Sequence, residues 1–246
     1  MKDSSFFILK LIEDSKDSLI RTDHKSYRIG RNEVGLPTWI WTKDNFPKEK
    51  EKELYKTVEE YLTKEWTPFT SKKEIYDLLS EKYHTKDYYE MGYLECKKLK
   101  DINLSIGFMD KPSPSDKNEL LKYWKEYCKE IYPNKKFTDK DNQETVENWL
   151  NNNNFYVWRN NLGKVVCIAS YIIHNKEAKI SDVFTPKEER KKGYCKSLIY
   201  QMTRIFLDNN KKPLLYTDNH YEASNRAYES VGYQKRKVLI NYKMKK

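Results

Sequence analysis

The chain has 246 residues, enough for one large domain or two small ones, so length alone does not set the domain count. Hydrophobic residues are only 38 %, but aromatics reach 14 %, with 20 Tyr and 6 Trp, so half-polar rings can fill a core and the composition excludes a disordered chain. The net charge of +10 is uneven: residues 1–110 hold 20 basic and 21 acidic side chains and the remainder 27 and 16, and a phosphorylated cofactor, nucleic acid or plain solubility would each account for the excess.

No apolar run approaches the roughly 20 residues of a membrane span. The run at residues 6–11 is broken by Lys10 and too short for a signal peptide, so a cytoplasmic protein without a membrane segment is expected. Cys96, Cys128, Cys167 and Cys195 form no C-x-x-C pair, so zinc spacing is missing, no metal is expected, and four reduced, packed thiols are the plain reading.

Along the chain, residues 6–11 and 26–29 read as early strands. Thr38-Trp39-Ile40-Trp41-Thr42, aromatic and β-branched, reads as a further one. Residues 48–62 read as a helix with Leu54, Val58, Tyr61 and Leu62 at helical spacing. A second helix is expected from Thr70 or Ser71, with Glu74 completing a capping box and Ile75, Leu78, Leu79 and Tyr83 on its apolar side. Residues 89–96 can form a strand. His24 and His84 are isolated and read as surface or structural. Two prolines and two serines within residues 110–116 cannot sustain a helix or a central strand, and they fall on the charge boundary; a linker is expected there.

Beyond it, Ser115 or Asp116 can cap a helix over residues 118–131, followed by a helix over 142–149. Strands are expected at 155–158, 165–173 and 178–185, the first two joined by a hairpin in which Gly163 takes positive φ. A helix over 193–207 carries the stripe Leu198, Ile199, Met202, Ile205 and Phe206. A short strand at 213–217, a helix over 222–231 ended by Gly232, and a strand from 233 complete the order ααβββαβαβ, a mixed α/β fold.

The segment with chemical content runs Val183-Phe184-Thr185-Pro186-Lys187-Glu188-Glu189-Arg190-Lys191-Lys192-Gly193-Tyr194-Cys195-Lys196. A strand ends, a loop follows, and a small-residue turn opens an amphipathic helix. The first turn of a helix has unpaired N–H groups and the positive end of the dipole, which together suit a pyrophosphate. Gly193 permits close backbone approach, and Arg190, Lys191, Lys192 and Lys196 add charge for phosphate groups.

Arg190-x-x-Gly193-x-Cys195 resembles the acyl-CoA motif Q/R-x-x-G-x-G/A of the GNAT superfamily. The longer string from Val183 to Tyr194, with Leu215-Tyr216-Thr217-Asp218 and Ser224-Asn225-x-x-Tyr228-x-x-Val231-Gly232-Tyr233 about 30 residues on, is similar to one branch of it. The departures are Cys195 at the last small position, Lys191 where Gly is frequent, and Tyr221-Glu222 where the branch has Asn-Pro. The resemblance covers residues 115–246 and implies a GNAT acyl-CoA N-acyltransferase domain there. Residues 1–110 then form an additional N-terminal α/β lobe, which would fit a degenerate GNAT-like domain; its Trp39, Ile40, Trp41 and Phe46 could line an acceptor cleft, though core is their plainer role.

What the resemblance implies is direct transfer of an acetyl group from acetyl-CoA to an amine. Val183, Phe184 and Thr185 would meet the pantetheine arm and thioester. Backbone amides from Lys191, Lys192, Gly193, Tyr194, Cys195 and Lys196 would meet the pyrophosphate, and Asn225 the pantetheine. Tyr228 would protonate the leaving thiolate, and Asp182 is the first candidate for a general base, ahead of His174, Glu177 and His220. Direct transfer needs no acyl-enzyme, so Cys195 reads as a packing residue and not a nucleophile. A catalytically weak acyl-CoA sensor is the alternative. No recognition motif supports nucleic-acid binding, and either a monomer or a homodimer is compatible with the chain.

Overall fold

The computed structural model describes residues 2–132 and 135–246. In chain order a 3-10 turn leads into α1 (Phe7–Glu13), followed by β1 (Leu19–Thr22), β2 (Tyr27–Arg31), β3 (Thr38–Thr42), α2 (Glu51–Glu59), β4 (Thr67–Ser71), α3 (Lys73–Ser80) and β5 (His84–Cys96). Next come β6 (Phe108–Asp110), α4 (Lys117–Ile131), α5 (Asp139–Asn151), β7 (Phe155–Arg159), β8 (Val165–His174) and β9 (Glu177–Phe184). The chain ends with α6 (Tyr194–Asp208), β10 (Lys212–Asp218), α7 (Glu222–Val231) and β11 (Tyr233–Lys245). Two compact units result. The first comprises residues up to 93 together with 216–221 and 235–246; the second comprises 94–215 and 222–234.

In the first unit β1, β2 and β3 pair antiparallel, β4 lies parallel to β3, and β11 pairs antiparallel with β4. Leu54 and Val58 of α2 and Ile75 and Leu79 of α3 pack with Ile29, Ile40, Phe69 and Ile240. Phe6, Leu9 and Ile12 pack with Trp39 and Leu239 in a separate cluster. Residues 6–11, expected as a strand, are therefore helical. The three-residue spacing of Phe6, Leu9 and Ile12 puts them on one side of a helix, and Asp3 accepts from Ser5 N to cap the preceding turn. The capping box expected at Ser71 does not form. Ser71 is the last residue of β4, its Oγ donating to Lys72 O, and α3 begins two residues later.

The second unit holds β6, β7, β8 and β9 in antiparallel succession, with β10 parallel to β9. Leu120, Tyr123 and Trp124 of α4 and Val146 and Trp149 of α5 pack with Phe155, Val165, Ile168 and Phe184. Leu198, Ile199, Met202 and Phe206 of α6 and Val231 of α7 pack in another cluster with Cys167, Ala169, Ile180 and Leu215. Adjacent residues of one strand thus serve opposite clusters, as the two-residue strand period requires. Burying each such side chain contributes about 1.5–3 kcal/mol before the entropy of ordering it. Both units share one order of elements: three antiparallel strands, a helix, a parallel strand, a helix.

The Pro- and Ser-rich stretch lies inside the second unit. Ser113 and Asp116 close a capping box around a 3-10 turn that starts α4. Arg159 of β7 forks onto Asp116 at 2.7 and 2.9 Å and onto Asp110 at 2.8 Å, tying the head of α4 to the sheet.

Candidate functional site

The site begins at an irregularity in β9. Pairing with β8 steps from Ser170 opposite Ser181 to Ile168 opposite Phe184, so Ala169 faces two residues, Asp182 and Val183. Asp182 is the extra residue and takes φ +49°, a conformation Asp tolerates better than most. The bulge shifts the alternation of side chains. Ile180 and Val183 both pack in the α6 cluster, while Phe184 turns to Tyr123 and Tyr127 of α4. Asp182 itself accepts a short hydrogen bond from Ser170 Oγ.

An aromatic panel stands beside it. Tyr127 stacks on Trp124 at 5.4 Å between centroids and meets Tyr132 and Phe184 edge-on at 6.2 Å each. Burial, and after it the charge of Asp182, pushes the phenols of Tyr127 and Tyr132 up. The same two causes push the Cys128 thiol up to about 11. Around the carboxylate lie these rings, the Cys128 thiol and Lys179, whose ammonium is pushed down by burial against the opposing pull of Asp182.

After Phe184 the chain makes a loop and a 3-10 turn at Lys187–Glu189, then reaches α6 through two residues of positive φ, Lys191 at +63° and Gly193 at +79°. Gly193 is the N-cap of α6. The first bond within the helix is donated by Ser197 N to Gly193 O at 3.0 Å, so the N–H groups of Tyr194, Cys195 and Lys196 precede that ladder. No acidic residue occupies the first turn of α6. Lys191 is exposed and Lys196 half-buried, and among the described residues neither makes an ion pair.

Arg190 is differently placed from the phosphate-facing role its motif suggests. Its Nε donates to Thr185 O at 2.9 Å, its Nη2 meets both oxygens of Glu130 at 2.9 and 2.8 Å, and its guanidinium lies 5.7 Å from the Phe184 ring centre. It fastens both ends of the loop to α4. Lys192 is likewise held by Glu189 at 2.8 Å. Cys195 packs against the α6 core cluster, and the fully buried Cys167 thiol is pushed well up by burial and then by its contact with Cys195.

Asn225 and Tyr228 lie one turn apart on α7, both buried, and the Tyr228 ring meets Tyr233 edge-on at 6.2 Å. His174 and Glu177 lie at the β8–β9 turn, and His220, in the first unit, lies 3.4 Å from Glu90. The sequence did not reveal the Asp182 bulge or the parts played by Tyr127, Tyr132 and Ser170. Their roles come from packing and strand register, which leave no local signal along the chain.

Among the described residues no group of three or more His, Cys, Asp or Glu is arranged to hold a metal, and no helix is long and apolar enough to cross a membrane. Residues 161–241 match the family model of FR47-like proteins. No curated protein matches the chain. Among solved structures, a GNAT-family acetyltransferase from Colwellia psychrerythraea superimposes with TM-score 0.62 at 9 % identity, covering 100 % of this chain and 98 % of its own. A GCN5-related N-acetyltransferase from Sphaerobacter thermophilus gives 0.67 at 11 % identity, with 98 % and 85 % covered. One from Kribbella flavida gives 0.63 at 12 %, with 96 % and 92 % covered. At such identities these likenesses speak for the fold alone: the chain has the GNAT fold.

Proposed function

From the GNAT fold and the FR47-like segment, we propose that this protein transfers the acetyl group of acetyl-CoA directly to a primary amine, with residues 115–246 forming the acyl-CoA domain. The observation that carries the reading is the continuous run from the Asp182 bulge, through the two positive-φ residues, to the head of α6. A bulge releases backbone groups of β9 from its ladder, and these suit the amides of a pantetheine arm along Val183, Phe184 and Thr185. Lys191 through Lys196 then offer backbone N–H groups and the helix dipole to the pyrophosphate, with the Lys191 and Lys196 ammonium groups beside it. Asn225 contacts the pantetheine.

The thioester carbon is attacked by the lone pair of the neutral amine. The C–S bond breaks as the tetrahedral adduct collapses, the departing thiolate takes the proton of Tyr228, and the proton shed by the adduct's nitrogen as it becomes the amide restores the Tyr228 phenol. The amine arrives as an ammonium ion and must lose a proton first. Asp182 is suited to take that proton: it is a carboxylate held by Ser170, with aromatic rings, the Cys128 thiol and Lys179 around it. Aromatic faces and one carboxylate favour a cationic acceptor.

Residues 1–110 form a degenerate GNAT-like lobe in this reading. The unit they dominate repeats the strand and helix order of the second, but α2 carries Glu51 and Glu53 in its first turn, which repel an anion where α6 attracts one.

Calorimetric titration with acetyl-CoA and with CoA tests the reading, on the wild type and on Gly193→Trp. Micromolar binding lost in the variant supports it. A folded wild type that binds neither at hundreds of micromolar overturns it. Turnover against a panel of amines, slowed in Tyr228→Phe while acetyl-CoA binding persists, marks an enzyme; a chain that binds and turns over nothing is a sensor.

A further inference from the structure

The eleven residues 97–107 form neither helix nor strand, yet they are fastened at three points of the second unit. At one end Lys100 N donates to Val231 O at 2.9 Å, Lys100 Nζ donates to Glu229 O at 2.9 Å, and Lys98 O lies where a Cβ on Gly232 would stand. At the other end Gly107 lies so close to the Arg159 carbonyl that no side chain fits, and β6 begins at the next residue. Leu99 and Ile102 pack on the α6 and α7 core cluster between them. The segment is a strap from the C-terminal end of α7 to the edge of the sheet.

Its third fastening is on the turn before α6. Ser105 N donates to Ser197 Oγ at 2.8 Å, and Ser105 Oγ donates to Lys192 O at 2.7 Å. Ser197 is fully buried, and its Oγ also donates to Gly193 O at 3.1 Å. Two successive carbonyls of the turn, Lys192 O and Gly193 O, are thereby held by the Ser105–Ser197 pair. A peptide unit whose carbonyl is fixed on one side presents the N–H of the next residue on the other. Holding these two carbonyls therefore fixes the Gly193 and Tyr194 N–H directions. A Cβ on Gly193 would stand 2.6 Å from Ser105 Oγ, so the glycine is required here by the strap as well as by its φ of +79°.

We infer that Ser105 is a positioning residue for the pyrophosphate cradle: it orients the Lys192–Gly193 turn from behind, touching no ligand itself. The inference rests on the acyl-CoA reading of the site. It also explains why an irregular segment far from the motif in sequence is anchored so thoroughly.

The test compares wild type, Ser105→Ala and Ser105→Thr. Calorimetric titrations use CoA and pantetheine, which lacks the phosphates, and amide exchange is followed in the ligand-free proteins. Loss of one hydrogen bond predicts CoA binding weakened roughly three- to tenfold in Ser105→Ala. Pantetheine affinity should stay the same, and Ser105→Thr, which keeps the hydroxyl, should bind CoA like the wild type. Exchange should accelerate in residues 191–197 and not in α4 or α5. Unchanged exchange and unchanged CoA affinity in Ser105→Ala overturn the inference, and so does a loss shared equally by CoA and pantetheine. If the wild type binds no CoA the acyl-CoA reading falls, and the exchange data alone then decide whether Ser105 holds the turn.

Discussion

Replacing Arg190 by Ala separates a phosphate ligand from a loop fastener. The structure gives its guanidinium three hydrogen bonds, one to Thr185 O and two to Glu130, with both side chains of the ion pair about one-third exposed at 33 % and 32 %. A bidentate pair at that exposure contributes about 0.5–1 kcal/mol after screening. The bond to the Thr185 carbonyl contributes about 1 kcal/mol, and loss of the stem packed on Phe184 adds about 0.5 kcal/mol. A total near 2 kcal/mol corresponds to a melting midpoint lowered by about 4–8 °C in a chain of this size. CoA affinity, measured well below that midpoint, should fall by no more than about threefold, since no phosphate contact is removed. Glu130→Ala should give part of the same thermal loss, and the double variant should show coupling of about 0.5–1 kcal/mol. An unchanged midpoint with CoA affinity down about tenfold or more would refute the argument and return Arg190 to the phosphates.

Alkylation with iodoacetamide at pH 8 should spare Cys128: a thiol pushed up to about 11 by burial and by Asp182 is thiolate in only about one molecule in a thousand there, and its rate should rise about tenfold per pH unit and level off only near pH 11. Asp116→Ala should cost about 3 kcal/mol in urea unfolding, because Arg159, 12 % exposed, keeps only Asp110 as a carboxylate partner. Burial pushes the Asp116 carboxyl up, but its bonds from Arg159 and Ser113 outweigh that and hold it below the usual carboxylate range. Its contribution is therefore full above about pH 4 and lost as pH falls through the folded value, an acid sensitivity that Asp116→Asn should lack. Lys191→Gly should leave stability within about 0.5 kcal/mol, relief of positive-φ strain offsetting the added unfolded-state entropy, while weakening CoA binding a few-fold and flattening its salt dependence. Calorimetric stoichiometry should be one CoA per chain; two would show that the head of α2 binds as well.

What the sequence disclosed was local. The strand–turn–helix run from Val183 to Lys196 could be read because every part of it is set by neighbours along the chain: β-branching, a glycine, an amphipathic stripe. The helices and strands from α4 to α7 followed for the same reason. Residues 6–11 misled because a run of apolar residues can be partitioned with period two or period three, and only packing against Trp39 and Leu239 chooses. β4 went unread because Pro68 breaks its pattern; the proline is tolerated where Lys243 and Thr38 neighbour its stretch of chain from two strands far apart in sequence.

The parts of the site that escaped detection depend on contacts across long separations. Ser105 meets Lys192 and Ser197 over 87 and 92 residues, and nothing in its surroundings, Asn-Leu-Ser-Ile-Gly, distinguishes it from any surface loop. Asp182 was noticed for its chemistry, yet what gives it a distinct environment is the bulge, and a bulge is a property of two strands in register. The repeated topology of the two units makes the same point from the other side. Their strand and helix orders agree while the decisive turns differ. β9 leads to α6 through Gly193 with no acid in the first turn, whereas β3 leads to α2 through Asn-Phe-Pro and a first turn holding Glu51 and Glu53. Topology is set by burial patterns that many sequences satisfy, so it persists in both units. An anion cradle needs a particular residue at a particular φ and the right sign of charge beside it, so two units can agree in topology while, in the proposed reading, only the second offers one.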